Sequence, residues 1–141
     1  MTALVDAGPL ISIITGDGDA AFFASALDVE RGDLLTTDAC LTEAFHLVGR
    51  KTRWTGTVAL FDLIEGAKIE SASVIVERSR ARSLMAKYAN MPMDFADVSL
   101  VLLAEVTGIG RIITADRRDF STYRIHDRKA FEVIAPPSDE S

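Results

Sequence analysis

The chain has 141 residues, 48% of them hydrophobic, with a formal net charge of −6 and a single cysteine, Cys40. That is enough for one domain with a real core, and the acidity argues against a protein that grips nucleic acid by bulk charge. One cysteine excludes an internal disulfide framework and suits a reducing cytoplasm, and no apolar run approaches the roughly 20 residues of a membrane span. The opening Met1-Thr2-Ala3-Leu4-Val5-Asp6 lacks the basic and long apolar regions of a secretory signal, so a cytoplasmic location is expected.

In chain order, Ala3-Leu4-Val5 reads as a buried strand that stops at Asp6 and the turn-forming Ala7-Gly8-Pro9. Leu10 to Ile14 starts a short helix, which Gly16-Asp17-Gly18-Asp19 breaks. Asp19 caps a helix from Ala20 to about Glu30. Leu34-Leu35-Thr36-Thr37 is a second strand, and Asp38 caps a helix to about Arg50. Another helix covers Trp54 to Glu65, and a weaker strand lies within Ile69 to Val74. Val76 to Ala89 is helical and carries Arg78, Arg80, Arg82 and Lys87; a further helix, 96–107, begins after Pro92 and ends at Gly108. Arg111-Ile112-Ile113-Thr114 and Phe131-Glu132-Val133-Ile134 are strands. The body is one domain, 1–135, and 136–141 reads as a disordered tail. Continuously apolar strands alternating with helices predict an α/β fold whose parallel sheet is covered on both faces.

Ligands of such sheets bind beyond the carboxyl ends of the strands. Asp6 ends the first strand and Asp116 follows the strand at 111–114. Asp94 and Asp97 open a strongly apolar helix, and Glu43 borders the apolar stripe of the helix after the second strand. Carboxylates packed together repel one another, and a divalent cation removes that repulsion. Magnesium takes oxygen ligands, keeps several waters and bridges carboxylates to substrate phosphate. The acids therefore suggest metal-assisted phosphodiester hydrolysis.

The order of these segments resembles a PIN-domain nuclease: Val-Asp-Ala-Gly-Pro-Leu around Asp6, Glu43 in a helix, Asp97 in Asp-Phe-Ala-Asp-Val-Ser-Leu, and Asp116 in Ile-Ile-Thr-Ala-Asp-Arg-Arg-Asp-Phe. Length and single-domain form are similar to the toxin branch, the VapC-like ribonucleases of type II toxin–antitoxin modules. The resemblance implies a three-layer α/β/α sandwich and an endoribonuclease dependent on Mg2+, or on Mn2+. It implies Asp6, Glu43, Asp97 and Asp116 as the acidic quartet, with Asp6, Asp97 and Asp116 on the metal. It makes Asp94, Thr114 and Asp119 auxiliary, Thr114 by hydrogen bonding. It also implies an RNA substrate, an antitoxin that occludes the cleft, often with a basic side chain, and a homodimer. Arg117 and Arg118, beside the acids, are candidates for phosphate contact.

Plainer roles compete for these residues. Asp6 can cap a turn, Glu43 can be a solvated helix edge, and Asp94 with Asp97 has the spacing of a capping box. Of the last two acids, Asp116 is assigned to the site and Asp119 to capping a short helix near Phe120. His46 and His126 are too few for a zinc site, and Cys40 reads as a small core residue. Arg78, Arg80 and Arg82 form either a solvated face or an RNA path. Ser12 has no partners for nucleophilic catalysis. Trp54, Phe61 and Leu63 are candidates for a dimer face. Two rival functions remain: a PIN-like RNA- or protein-binding module without catalysis, and a metal phosphoesterase acting on DNA.

Overall fold

The computed structural model describes residues 2–74, 77–91 and 93–137. Pro92, the start of the helix expected from Val76, and the tail from 138 onward lie outside the described residues.

Five strands form one parallel sheet: β1 (Ala3–Val5), β2 (Leu34–Thr37), β3 (Ile69–Ala72), β4 (Arg111–Ile113) and, last in the chain, β7 (Glu132–Ile134). Their order is β3-β2-β1-β4-β7. The chain therefore winds outward from β1 through β2 to β3, then returns to the other side of β1 for β4 and β7. The switch in direction falls between β1 and β4, where an open α/β sheet leaves a crevice at its carboxyl edge. The pairs Leu4 with Leu35 and Val5 with Ile113 fix the register. Continued to Asp6, this register brings it level with Thr37 on one side and Thr114 on the other. β1 is buried along its whole length, as a continuously apolar strand of a parallel sheet must be.

The helices are α1 (Ala7–Thr15), α2 (Ala20–Val29), α3 (Asp38–Ala67), α4 (Arg78–Lys87), α5 (Phe95–Thr107) and α6 (Arg117–Thr122). They complete a three-layer α/β/α sandwich. α5 is its central helix: Ala96 and every residue from Val98 to Ala104 are buried, because a helix apolar around most of its circumference needs neighbours on several sides. α3 is interrupted at Arg53, whose φ of 58° and ψ of −143° are non-helical, which accounts for the two helices expected on either side of that point. The cap of α3 differs from expectation. Thr37 accepts from the Cys40 amide and Asp38 is the first helical residue; the hydroxyl one position earlier has the extended backbone a cap requires.

A two-stranded antiparallel hairpin, β5 (Arg124–Ile125) with β6 (Lys129–Ala130), was not expected. Its turn places His126 and Asp127 in the left-handed region, with φ of 51° and 62°. Glu105 of α5 holds this turn, accepting from the His126 amide at 2.7 Å and from Arg80 Nε and Nη2 at 3.1 and 2.9 Å. Arg80 also bonds Asp127 at 3.2 Å, and Lys87 bonds the same carboxylate at 2.9 Å. Arg80 is thus committed to a structural network and does not line an RNA path; Arg78 and Arg82 remain exposed.

Candidate active site

The carboxyl edge of the sheet gathers the acids. Asp6 is the N-cap of α1 and is 8% exposed. Its Oδ1 accepts from the Ala7 amide at 2.7 Å and its Oδ2 from Thr114 Oγ1 at 2.7 Å. Thr114 Oγ1 accepts in turn from the Asp116 amide at 2.9 Å. One buried hydroxyl thereby links the end of β1 to the loop after β4. Gly8 lets these two segments approach, since a Cβ there would stand 2.8 Å from Cβ of Ala115.

α5 starts on the same edge. Asp94 and Asp97 form a capping box: Asp94 Oδ1 accepts from the Asp97 amide at 2.8 Å and Asp97 Oδ2 from the Asp94 amide at 3.3 Å. The plain reading of this pair is therefore correct as geometry, and it fixes Asp97 in place without removing it from the cluster. The start of α5 is also tied to β2. Ser99 Oγ lies 2.7 Å from Thr37 Oγ1 and donates to the Ala96 carbonyl at 2.6 Å. Tyr123, whose ring is fully buried, points its hydroxyl at Asp97 Oδ2 at 3.4 Å. This residue was missed from sequence, because its relation to Asp97 spans 26 positions and no local pattern signals it.

The cap expected of Asp119 falls on Asp116 instead. Asp116 is the N-cap of α6, accepting from the Asp119 amide at 3.1 Å, while Asp119 lies in the first turn. Two aspartates three apart both suit such a helix start, and only the backbone decides which one caps. Arg117 spends a guanidinium donor on the Ala135 carbonyl at 2.7 Å. Arg118 is exposed and acts electrostatically on Asp119.

The acids interact with one another. Burial raises the proton affinity of Asp6, and Asp94 and Asp116 add to it. Burial, then Asp94, Asp6 and Asp116, push Asp97 up to about 8. Glu43, half-buried on α3, is raised by burial and by Asp94 and Asp6. Asp119 is raised to about 6, chiefly through its hydrogen bond with Asp116. Asp6, Glu43, Asp97 and Asp116, drawn from four separate segments, thus form one field of like charge. Cys40 lies 4.0 Å from Asp6 Oδ1, and burial pushes its thiol up to about 12, as suits an inert core residue. His46 and His126 are exposed, and His126 belongs to the hairpin turn.

This field has a consequence for stability. Groups whose folded pKa is raised bind protons that the unfolded chain has released, so their contribution is full below the ordinary carboxylate value and is lost as pH rises through the folded value. For Asp97 the window runs from 3.8 to about 8. The carboxylates with lowered pKa, Asp17, Glu105 and Asp127, act with the opposite sign, and their gain is complete once pH passes the ordinary carboxylate range. The thermal midpoint of the metal-free protein is therefore expected to fall between about pH 5 and about pH 8.5, and Asp97→Asn should flatten that slope. Calorimetry across this range checks it; equal slopes for parent and variant would contradict it.

Three further residues bear on surfaces. Trp54 and Phe61 are 73% and 50% exposed on the second half of α3, with Val58 between them on the same face. Leu63, expected with them, instead packs against the core. Among the described residues, no helix is long and apolar enough to cross a membrane.

No protein-family model and no curated protein sequence matches the chain. Solved structures do. VapC20 of Mycobacterium tuberculosis, a sarcin–ricin loop cleaving toxin, aligns with a TM-score of 0.70 at 14% identity, over 79% of this chain and 87% of that one. DNA-bound VapBC from Salmonella typhimurium aligns with a TM-score of 0.68 at 13% identity, over 94% and 96% of the two chains. VapBC2 from Rickettsia felis, bound to a DNA fragment from its promoter, aligns with a TM-score of 0.68 at 12% identity, over 99% and 100%. At such identities the likeness is one of architecture: this chain has the PIN-like α/β/α fold found in VapC20 and in VapBC assemblies.

Proposed function

We propose that the chain is a metal-dependent endoribonuclease that hydrolyses RNA phosphodiester bonds and serves as the toxin of a toxin–antitoxin pair. The observation that carries this reading is the convergence of Asp6, Glu43, Asp97 and Asp116 at the switch point of a parallel sheet, with proton affinities raised in Asp6, Glu43 and Asp97. Perturbed acids at the carboxyl edge are what a hydrolytic metal centre requires.

The donor set fits a hard cation. Every side-chain donor in it is an oxygen, which suits Mg2+ and Mn2+ alike. Among the described residues no three Asp, Glu, His or Cys side chains form a ready-made metal cage. Magnesium keeps several of its waters, so carboxylates can hold it directly or through water. Asp6, Asp97 and Asp116 would hold it, with Glu43 facing the same space. Bound there, the ion would neutralise charge at phosphorus and lower the pKa of an attacking water. The chain's own residues do the positioning. Thr114 orients Asp6 and the Asp116 loop, Asp94 orients Asp97, and Asp119 supports Asp116. Arg118, exposed beside Asp119, would contact phosphate, with Arg117 bonded to the Ala135 carbonyl next to it. The likeness to VapBC assemblies supports an antitoxin partner that closes the cleft, and the Trp54–Val58–Phe61 face supports a homodimer.

The test is cleavage of a varied panel of single-stranded and structured RNAs and matched DNAs, with Mg2+ or Mn2+ and with chelator. The reading expects discrete fragments from RNA only, lost with chelator and in Asp116→Asn. Cleavage that ignores the chelator, or equal cutting of DNA, would sink it.

A further inference from the structure

We infer that the concavity beside the acids is a subsite for one unpaired nucleobase of the RNA, with the Phe95 ring as its stacking surface. This rests on the nuclease reading and adds how the substrate is held. The cavity, about 390 Å³, is lined by Thr37, Asp38 and Thr42 at the end of β2 and start of α3, by Ser73 and Val74 beyond β3, and by Phe95 at the start of α5. Its volume lies in the range of small-ligand sites, and it combines apolar walls with a few polar groups, as such sites do. Asp38 and Thr42 supply hydrogen-bonding groups of the kind that read a base edge.

Its position ties it to the chemistry. Phe95 directly follows Asp94 and stands two residues before Asp97, and Thr37 is level with Asp6 in the sheet register. A phosphodiester drawn to the acids therefore brings its neighbouring base to this cavity. Phe95 is 49% exposed although it opens the most buried helix of the fold, so its ring is left uncovered at the edge where the substrate lies.

Charge favours such a contact. The chain carries a net charge of −6, and Arg80, Lys87 and Arg111 are paired with carboxylates. That balance limits what counterion release can contribute to RNA affinity. Stacking on an aromatic ring supplies it without net charge and tolerates any base.

The test uses the full chain and short single-stranded RNAs carrying one 2-aminopurine, whose fluorescence is quenched on stacking, alongside steady-state cleavage of the RNA the parent cuts best. Phe95→Ala should abolish the quenching and raise KM about tenfold with kcat little changed, within the range for one stacked base. Phe95→Trp should restore both. Replacing the base beside the cut by an abasic ribose should raise KM for the parent and leave Phe95→Ala unaffected. Unchanged KM and quenching in Phe95→Ala, with cleavage intact, overturn the subsite alone and leave the cavity to a protein partner. Quenching that depends on Phe95 without any cleavage keeps the subsite and overturns the nuclease reading. Neither quenching nor cleavage by the parent overturns both.

Discussion

Asp6→Asn is expected to lower metal-dependent RNA cleavage by at least about a hundredfold while the protein stays folded, the loss typical when a central electrostatic group is removed. Asp6 is the most buried of the acids and lies at the switch point, bonded to Ala7 and Thr114. Asparagine keeps its shape and an acceptor but lacks the charge that would bind a cation. The same change removes a buried charge that raises its neighbours Asp97 and Glu43. In metal-free buffer near neutral pH the variant should therefore unfold at the parent's temperature or above it, the trade between activity and stability common at charged sites. Rates on one RNA, with thermal denaturation of both proteins, measure this. Activity within a few-fold of the parent, or a large loss of stability, would contradict it.

Glu105→Ala is expected to cost about 1–3 kcal/mol, from a half-buried charge pair broken on one side and a turn amide left without its carboxylate acceptor. Glu105 has only 8% of its side chain exposed and takes bonds from Arg80 and the His126 amide. Those bonds hold the turn in which His126 and Asp127 adopt positive φ, a conformation disfavoured for side chains with a Cβ. Without Glu105, the turn loses its anchor and Arg80 keeps only Asp127. Glu105→Gln, which retains an acceptor, should lose less. Denaturant unfolding at unchanged slope reads the difference, and a loss under about 0.5 kcal/mol, the level of an ordinary surface substitution, would contradict it. Because the hairpin lies apart from the acids, cleavage by folded Glu105→Ala should remain.

The inner strands β1, β2 and β4 were readable because they are short, largely buried runs with an aspartate at or near their carboxyl ends, whereas the edge strands β3 and β7 carry exposed polar residues and read more weakly. Asp6, Thr114 and Asp116 were readable for a related reason: each lies within three residues of a strand's carboxyl end, so register alone brings them together. What was hidden depends on backbone detail or long-range approach. Thr37 and Asp38, like Asp116 and Asp119, are pairs in which either residue can cap, and dihedral angles choose between them. The hairpin at 124–130 has no glycine at its turn and no alternating pattern. It exists because Glu105, about 20 residues earlier, satisfies the turn. Phe95 reads as one more apolar residue of a core helix; only its exposure beside the acids sets it apart.

Asp6, Glu43, Asp97 and Asp116 are expected to act as one divalent-metal site. Titration of the chelator-treated parent, Asp6→Asn and Asp97→Asn with Mn2+, followed by calorimetry at pH near 7.5, tests it most directly. Saturable binding by the parent is expected, with affinity weakened at least about tenfold in each variant. Binding of equal strength in all three proteins, or none by the parent, would contradict it.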